Sequence, residues 1–186
     1  MTDQISLLEQ ARKRDPTALA QIYDTYATKI YAYIYRHVGD AHRAEDLTSA
    51  VFLKMLEALD KNKFARDALQ SWLYRIAHNI IVDDVRKRQR RPTSALHDGL
   101  ALPPESTPDY MVTQRLQSEE LLQAINQLTE DQRTVIILRF GEGLTAPQVA
   151  NILDKTEEAV RALQRRGLAN LRKQYAQNDR GRREEE

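Results

Sequence analysis

No cysteine occurs in the 186-residue chain. A disulfide scaffold, an iron–sulfur cluster, a cysteine-based zinc site and a thiol nucleophile are therefore excluded. Glycine and proline are scarce, with six residues each, and strand-like runs bounded by turn signals are missing. Charged residues make up 30% of the chain and hydrophobic residues 41%, a composition that favours long helices. We therefore expect an all-α fold.

Long apolar runs are also missing. No window approaches the roughly 20 apolar residues that a membrane-spanning helix needs. The first five residues have neither the basic start nor the apolar run of a signal peptide. We therefore expect a cytoplasmic protein that has no membrane partner.

Helix signals divide the first 91 residues into three amphipathic helices. Asp15 and Pro16 form a helix start, because aspartate caps free N–H groups and proline suits the first turn. Gly39 ends this helix, and Asp40 caps the next one. A polar connection, from Asp60 to Arg66, then precedes the third helix.

Residues 92–113 break the helical pattern. They hold four of the six prolines, three acidic residues and no lysine or arginine. We interpret them as a flexible, acidic linker, since a structureless stretch of this length is unusual inside one compact domain. The predicted organisation is a domain at 1–91, the linker at 92–113, a second domain at 114–175 and a polar, disordered tail at 176–186.

Two capping boxes and a helix-turn-helix outline mark the second domain. Thr129 with Gln132, and Thr145 with Gln148, have the spacing at which threonine caps a later N–H and glutamine reaches back. Residues 144–166 then predict a short helix, a tight turn and a second helix, as in DNA-binding helix-turn-helix units. The inner face of the second helix is predicted to carry Val160, Leu163 and Gly167.

The outer face of that second helix is basic. Arginine and glutamine can read base edges, and arginine also binds phosphate. The outward positions are predicted to be Arg161, Ala162, Gln164, Arg165 and Arg166. The alternative is an ordinary helical hairpin with a solvated basic face.

A second basic cluster closes the third helix of the first domain, where residues 86–91 hold five basic residues. Upstream, basic and polar side chains alternate with aromatic ones, which suits single-stranded nucleic acid because cations hold phosphates and rings stack on bases. These side chains are Trp72, Tyr74, Arg75, His78 and Asn79. The simpler interpretation, a core tryptophan and a basic end that complements the helix dipole, is favoured by this helix taken alone.

Catalytic groups are not assigned. The paired carboxylates have no histidine ladder, phosphate loop or nucleophile motif beside them. The four histidines lack metal-ligand spacing. We therefore expect no enzymatic activity, no metal site and no cofactor.

Two stretches carry a family resemblance: residues 44–54 joined to 72–79, and residues 128–133 followed by Leu144-Thr145, Val149-Ala150 and residues 159–163. In order and spacing they resemble the extracytoplasmic-function (group 4) sigma factors of the sigma-70 family, bacterial subunits that give RNA polymerase its promoter specificity. The likeness covers roughly residues 15–91 and 114–175. It implies two small helical domains, a region 2 bundle and a region 4 helix-turn-helix, joined by a flexible linker.

The resemblance also implies site residues. The residues that would dock on the clamp helices of the largest subunit of core RNA polymerase are Asp46, Leu47, Phe52, Leu53 and Met55. Those that would melt and read the −10 promoter element are Phe64, Trp72, Tyr74, Arg75, Asn79, Arg86, Lys87 and Arg88. Those that would read the −35 element are Thr145, Glu158, Arg161, Ala162, Arg165 and Arg166. The other implied partners are the flap of the second-largest subunit, promoter DNA and an anti-sigma factor.

Four positions depart from the family pattern. Two of them, Leu163 and Gln164, lie in the final helix, where more polar or basic residues are common. Leu69 stands three residues before Trp72, where phenylalanine is common, and Asp154 stands in the turn of the helix-turn-helix, where glycine is common. We expect the turn to survive, because aspartate tolerates a left-handed φ better than most residues.

Two other functions fit the same patterns. A helix-turn-helix transcriptional regulator that is no polymerase subunit needs only residues 114–175 to bind DNA, and a helical interaction module needs no DNA contact. The net charge of +1 is a cancellation, because the excess is +4 in residues 1–91, −3 in 92–113, +1 in 114–175 and −1 in 176–186. With so small an excess, we expect weak duplex binding by the isolated protein.

Overall fold

The computed structural model describes residues 2–60, 69–89, 121 and 123–184, and no strand occurs among them. The chain divides into two compact units, residues 1–98 with 151–154 and residues 99–150 with 155–186. The predicted linker and Phe64 lie outside the described residues. The predicted boundaries of the two domains therefore remain predictions, while the all-α architecture in two units is confirmed.

Four helices form the first unit: α1 (Thr2–Arg12), α2 (Pro16–Val38), α3 (Ala41–Asp60) and α4 (Leu69–Gln89). Helix α2 packs against both α3 and α4, which also pack against each other, and α1 packs mainly on α2. The sequence predicted α2, α3 and α4 but not α1. Fully buried side chains at the meeting of the three long helices include Ile22, Ile30, Tyr33, Ile34, Val51, Leu73 and Tyr74.

The predicted helix ends of α2 are confirmed. Oδ1 of Asp15 accepts hydrogen bonds from the N–H groups of Thr17, at 2.8 Å, and Ala18, at 3.3 Å. At the other end, Gly39 has a φ of 69°, a left-handed conformation that costs glycine little. Oδ1 of Asp40 then accepts from the N–H of Arg43 at 2.8 Å and starts α3.

The remaining described helices are α5 (Glu130–Ile136), a π-helical turn (Ile137–Gly141), α6 (Ala146–Leu153) and α7 (Glu157–Glu184). They belong to the second unit, except for the end of α6, which the division groups with the first unit. Residues 123–126 are also helical. Helix α5 packs along α7. A small core cluster joins Ala124, Leu128, Ile136 and Leu171, with Ile125 and Leu168 packed against it.

The capping boxes are only partly as predicted. At Thr145 the box is reciprocal, since the N–H of Thr145 donates to Oε1 of Gln148 at 2.8 Å and the N–H of Gln148 faces Oγ1 of Thr145 at 3.4 Å. At Thr129 the hydroxyl caps the N–H of Gln132. The Gln132 side chain turns to α7 instead of reaching back, and its Oε1 accepts from Nδ2 of Asn170 at 3.1 Å.

Helix α7 does not end near residue 175. It continues to Glu184, so the prediction of a disordered tail from Ala176 is wrong for the residues up to that point. The physical reason is that this segment contains no proline. Its single glycine, Gly181, weakens a helix by only about 1 kcal/mol relative to alanine.

Candidate nucleic-acid interface

A helix-turn-helix is formed by α6, a short turn and α7. Asp154 in the turn has a φ of 52°, and the following N–H, of Lys155, donates to the carbonyl of Ala150 at 3.0 Å. The left-handed aspartate therefore closes α6, as predicted from the sequence. Nζ of Lys155 also lies 3.1 Å from a carboxylate oxygen of Asp131, and this ion pair ties the turn to the start of α5.

The inner face of α7 packs closely on the rest of the unit. Val160 is fully buried, and Ala150 of α6 is 6% exposed. At Gly167 a Cβ atom would lie 3.1 Å from Cγ1 of Ile136. A larger residue at 167 would push α7 away from α5, so glycine permits their close approach.

The side chains predicted to read the −35 element lie along the outside of this unit. Ala162 is half-buried, and the other five are exposed: Thr145, Glu158, Arg161, Arg165 and Arg166. On α7 they recur at spacings of three and four, which places them along one stripe. Nη2 of Arg161 pairs with Glu157 one turn earlier at 3.2 Å, an exposed pair of small energy.

Gln164 does not face outward as predicted. It is half-buried, and its Oε1 accepts a hydrogen bond from Nε of Arg139 at 3.1 Å. Nη1 of the same arginine donates to the carbonyl oxygen of Leu144. The sequence patterns did not single out Arg139. The available signal was the position of Gln164, four residues after the buried Val160 and so on the same side of the helix.

One side of α4 is polar and exposed. Arg75, Asn79 and Arg86 are exposed at spacings of four and seven, which aligns them on one stripe. Lys87 and Arg88 are also exposed at the end of the helix. The arrangement can hold phosphates along the helix and place an amide between cations.

The aromatic residues of α4 lie on the opposite side. Tyr74 is fully buried and meets Tyr33 of α2 edge to face, with ring centroids 5.3 Å apart. Trp72 is only 7% exposed. The Tyr33 hydroxyl in turn lies 3.4 Å from Nδ1 of His78. Because these rings fill the core of the first unit, the described part of α4 does not offer them for stacking on bases.

The residues assigned to polymerase docking also divide into exposed and buried sets. On α3, Asp46 is exposed, Leu53 is 62% exposed and Leu47 is half-buried. Phe52 and Met55 are buried. The Phe52 ring packs against Tyr23 of α2, with centroids 4.9 Å apart. Only the first three can meet a partner directly, and the other two support the face from within.

An open groove of about 310 Å³ lies between α2 and α3. Its lining residues are Tyr23, Ala27, Thr28, Tyr31, Glu45, Thr48 and Ser49. Burial first, and then the charges of Glu45 and Tyr35, raise the pKa of Tyr31 above its usual value. The sequence patterns did not reveal this groove, although five of the eight tyrosines fall within α2.

A salt bridge ties α3 to α4. The guanidinium of Arg43 pairs with the carboxylate of Asp84, and both side chains are largely buried. Burial, followed by the nearby charge of Arg88, lowers the pKa of Arg43. The pair fixes the exposed face of α3 relative to the basic end of α4, and it neutralises an acidic side chain near that end.

Groups for metal binding are missing from the described ranges, in which no three histidine, cysteine, aspartate or glutamate side chains come together as a metal site. Within the same ranges, the helices are too short or too polar to span a membrane.

Comparisons with known protein families give a match in each unit. Residues 22–91 match Sigma-70 region 2, and residues 124–173 match Sigma-70, region 4. The two matches together span more than half of the chain. They contain, respectively, the exposed faces of α3 and α4 and the complete helix-turn-helix.

Individual relatives point to the same family. The ECF RNA polymerase sigma factor SigW of Bacillus subtilis is 32% identical over 178 residues, covering 90% of this chain and 94% of SigW. BldN of Streptomyces coelicolor, also an ECF RNA polymerase sigma factor, is 31% identical over 170 residues. That match covers 90% of this chain but only 64% of the length of BldN. The sigma factor RpoE of Bartonella quintana, solved with the anti-sigma factor NepR, shares the fold, with a TM-score of 0.68 at 20% identity over 84% of this chain and 96% of RpoE. The chain belongs to the sigma-70 family, as an extracytoplasmic-function RNA polymerase sigma factor.

Proposed function

We propose that this sigma factor, which directs promoter-specific transcription initiation, divides its tasks among three exposed surfaces. Helix α3 docks on core RNA polymerase, α4 contacts the −10 element, and the helix-turn-helix reads the −35 element. The observation that carries the proposal is the stripe on α7, where Glu158, Arg161 and Arg165 are exposed while Val160 packs inward. A basic helix held by a second helix is suited to the major groove.

The −35 contact combines charge with base reading. Arg161, Arg165 and Arg166 can each donate to guanine or to phosphate, while Glu158 can accept from cytosine. Ala162 leaves room for close approach to a base. Thr145, exposed at the start of α6, is placed to contact the sugar–phosphate backbone.

The −10 contact uses the exposed stripe of α4. Arg75, Asn79 and Arg86 face solvent, with Lys87 and Arg88 beyond them, so the helix offers several cations along one side. Single-stranded DNA binds such surfaces through its phosphates. Trp72 and Tyr74 support this stripe from the core, and the assignment of Phe64 stays a prediction.

Core polymerase docks on the exposed part of α3. Leu53 supplies an apolar contact and Asp46 a charged one. Leu47, which is half-buried, adds apolar surface at the edge of this face. An exposed leucine beside a carboxylate is suited to a partner helix that carries apolar and basic side chains. The partner surfaces are the clamp helices of the largest subunit and, for the second unit, the flap of the second-largest subunit.

Regulation and location follow from the same assignment. RpoE is held by an anti-sigma factor in its solved structure, and this chain is proposed to have an anti-sigma partner as well. The protein works in the cytoplasm, where promoter DNA and polymerase are found. It contributes binding and DNA recognition and performs no catalytic step of its own.

Reconstitution with bacterial core RNA polymerase, followed by transcript mapping, tests the proposal. The holoenzyme should initiate at discrete sites that share a −35 and a −10 motif. Changing Arg161, Arg165 and Arg166 together to glutamine should abolish −35-dependent transcripts and leave core binding intact. A control with Lys13 and Lys29 changed to glutamine removes charge elsewhere and should keep the transcripts. Specific duplex binding as a dimer on a palindrome, without any affinity for core, would instead identify an independent regulator.

A further inference from the structure

The guanidinium of Arg139 contacts both halves of the helix-turn-helix. Nε donates to Oε1 of Gln164, within α7, at 3.1 Å. Nη1 donates to the carbonyl oxygen of Leu144, the residue before the Thr145 cap of α6. We propose that Arg139 is a positioning residue that fixes the orientation of α7 for reading the −35 element, an inference that rests on the function proposed above.

The backbone around Arg139 is held in place at both ends. Arg139 lies in the π-helical turn, where the N–H of Glu142 donates to the carbonyl of Ile137 at 3.1 Å. The N–H of Leu144 donates to the carbonyl of Leu138 at 3.0 Å, and both leucines are buried. Insertions of this π-helical kind are frequent at functional sites. They change the direction in which the following side chains leave the helix.

Arginine is suited to this double contact. Its planar guanidinium carries donors that point in different directions, so one side chain can satisfy a side-chain amide and a backbone carbonyl together. A lysine ammonium is a single point of charge on a flexible stem. The half-buried position of Arg139 further limits its conformations.

The hydrogen bond to Gln164 holds α7 on the side opposite Ala162. Residues two apart in an α-helix project in nearly opposite directions, so Gln164 lies opposite Ala162, which belongs to the DNA-reading set. A contact there resists rotation of α7 about its own axis. A rotation of about 20° would move an atom about 6 Å from the axis by about 2 Å. That displacement is several times the range over which a hydrogen bond to a base edge stays good.

The test uses full-length protein in reconstituted holoenzyme and a promoter library with randomised −35 and −10 positions. Sequencing of the bound fraction gives an enrichment for each motif. The −10 enrichment is an internal control, because it requires a folded protein and core binding but no helix-turn-helix. If the wild type enriches neither motif, the proposed function and this inference fail together. If the wild type and all variants enrich both motifs equally, the positioning role alone fails.

Three variants separate positioning from other roles. Arg139→Gln should lower −35 enrichment about tenfold, the size expected for loss of a charge-assisted hydrogen bond, and should leave −10 enrichment unchanged. In Arg139→Lys the −35 enrichment should fall nearly as far, because the flexible lysine stem does not hold its donors in the fixed planar fork that meets both acceptors. Gln164→Leu removes only the hydrogen bond to Arg139 and keeps a residue that favours helix. Its −35 enrichment should therefore fall about threefold.

The salt dependence of −35 binding supplies the decisive comparison. A positioning residue leaves the number of phosphate contacts unchanged, so Arg139→Gln should bind more weakly with the wild-type salt slope. A slope lower by about one would assign Arg139 to a direct phosphate contact and overturn the proposal. Wild-type −35 enrichment in Arg139→Lys would overturn it too. A parallel fall in −35 and −10 enrichment would also overturn it, because that pattern indicates general destabilisation.

Discussion

The hydroxyl oxygen of Tyr33 lies 3.4 Å from Nδ1 of His78, where α2 packs against α4. The same tyrosine meets Tyr74 edge to face, and both tyrosines are fully buried. On the other side of α4, Arg75 and Asn79 are exposed. The helix therefore uses its aromatic side to hold its place in the bundle and leaves exposed the polar side that is proposed to contact the −10 element.

Truncation of Tyr74 should destabilise the protein, whereas truncation of Arg75 should hardly change its stability. Tyr74→Ala removes a fully buried ring and should lower the free energy of unfolding by about 3–5 kcal/mol, because it leaves a cavity. Arg75→Ala should change that free energy by no more than about 0.5 kcal/mol, since its side chain is exposed. Chemical denaturation followed by circular dichroism measures both values.

Among folded variants, promoter opening should depend on Arg75 more than on the hydroxyl group of Tyr74. Arg75→Ala should slow opening at the −10 element, measured by the reactivity of unpaired thymines in the holoenzyme complex. Tyr74→Phe keeps the ring and its packing, so it should open promoters at close to the wild-type rate. A Tyr74→Phe protein that is stable but cannot open promoters would show that the tyrosine itself acts on DNA.

The surface of α3 provides a second contrast. Leu53→Ser changes a side chain that is 62% exposed and should leave stability within about 0.5 kcal/mol. It should weaken core binding about tenfold, a loss typical of a central interface contact. Phe52→Ala, one residue earlier, should instead destabilise the first unit by about 3–5 kcal/mol. Titration of labelled core polymerase, with unfolding measured in parallel, separates the two effects. Unchanged core affinity in Leu53→Ser would remove this face from the docking surface.

Local signals in the sequence predicted much of this fold. Asp15 and Gly39 mark the ends of α2 because capping depends on residues close in the chain. Helix α1 was missed because it is only 11 residues long and carries a correspondingly short apolar stripe. The length of α7 was also missed, because a polar segment reads as disordered until the preceding helix is known to continue into it.

The sites were harder to predict than the helices, for a different reason. Tyr74 and Arg75 are neighbours in sequence, and only the position of Tyr33, 41 residues earlier, decides which of them is buried. Gln164 looks like a DNA-facing glutamine until Arg139 is seen to donate to it. Side-chain partners that come from distant segments are set by tertiary packing, which helical periodicity alone does not specify.

The left-handed turn at Asp154 gives a fourth prediction. Its φ of 52° is accessible to glycine at no steric cost, so Asp154→Gly should keep the stability of the second unit within about 1 kcal/mol. Asp154→Val places a β-branched residue there and should cost about 1–2 kcal/mol. Thermal unfolding of the full chain, with Asp154→Asn as the matched control, measures the difference. Equal stabilities for valine and asparagine would mean that the turn can adopt another conformation.

Gly167 permits a close approach between α5 and α7. A Cβ atom there would lie 3.1 Å from Cγ1 and 3.3 Å from Cδ1 of Ile136, so Gly167→Ala combines a tight contact with a gain in helix propensity of about 1 kcal/mol. We expect these effects nearly to cancel, whereas Gly167→Leu should cost about 1–3 kcal/mol through overpacking. Ile136→Val removes the more distant of the two atoms and should relieve part of the contact. The Gly167→Ala and Ile136→Val double-mutant cycle, followed by denaturant unfolding, should therefore show a favourable coupling of about 0.5 kcal/mol or more. A coupling near zero would mean that the two helices separate freely and that glycine is not needed at this position.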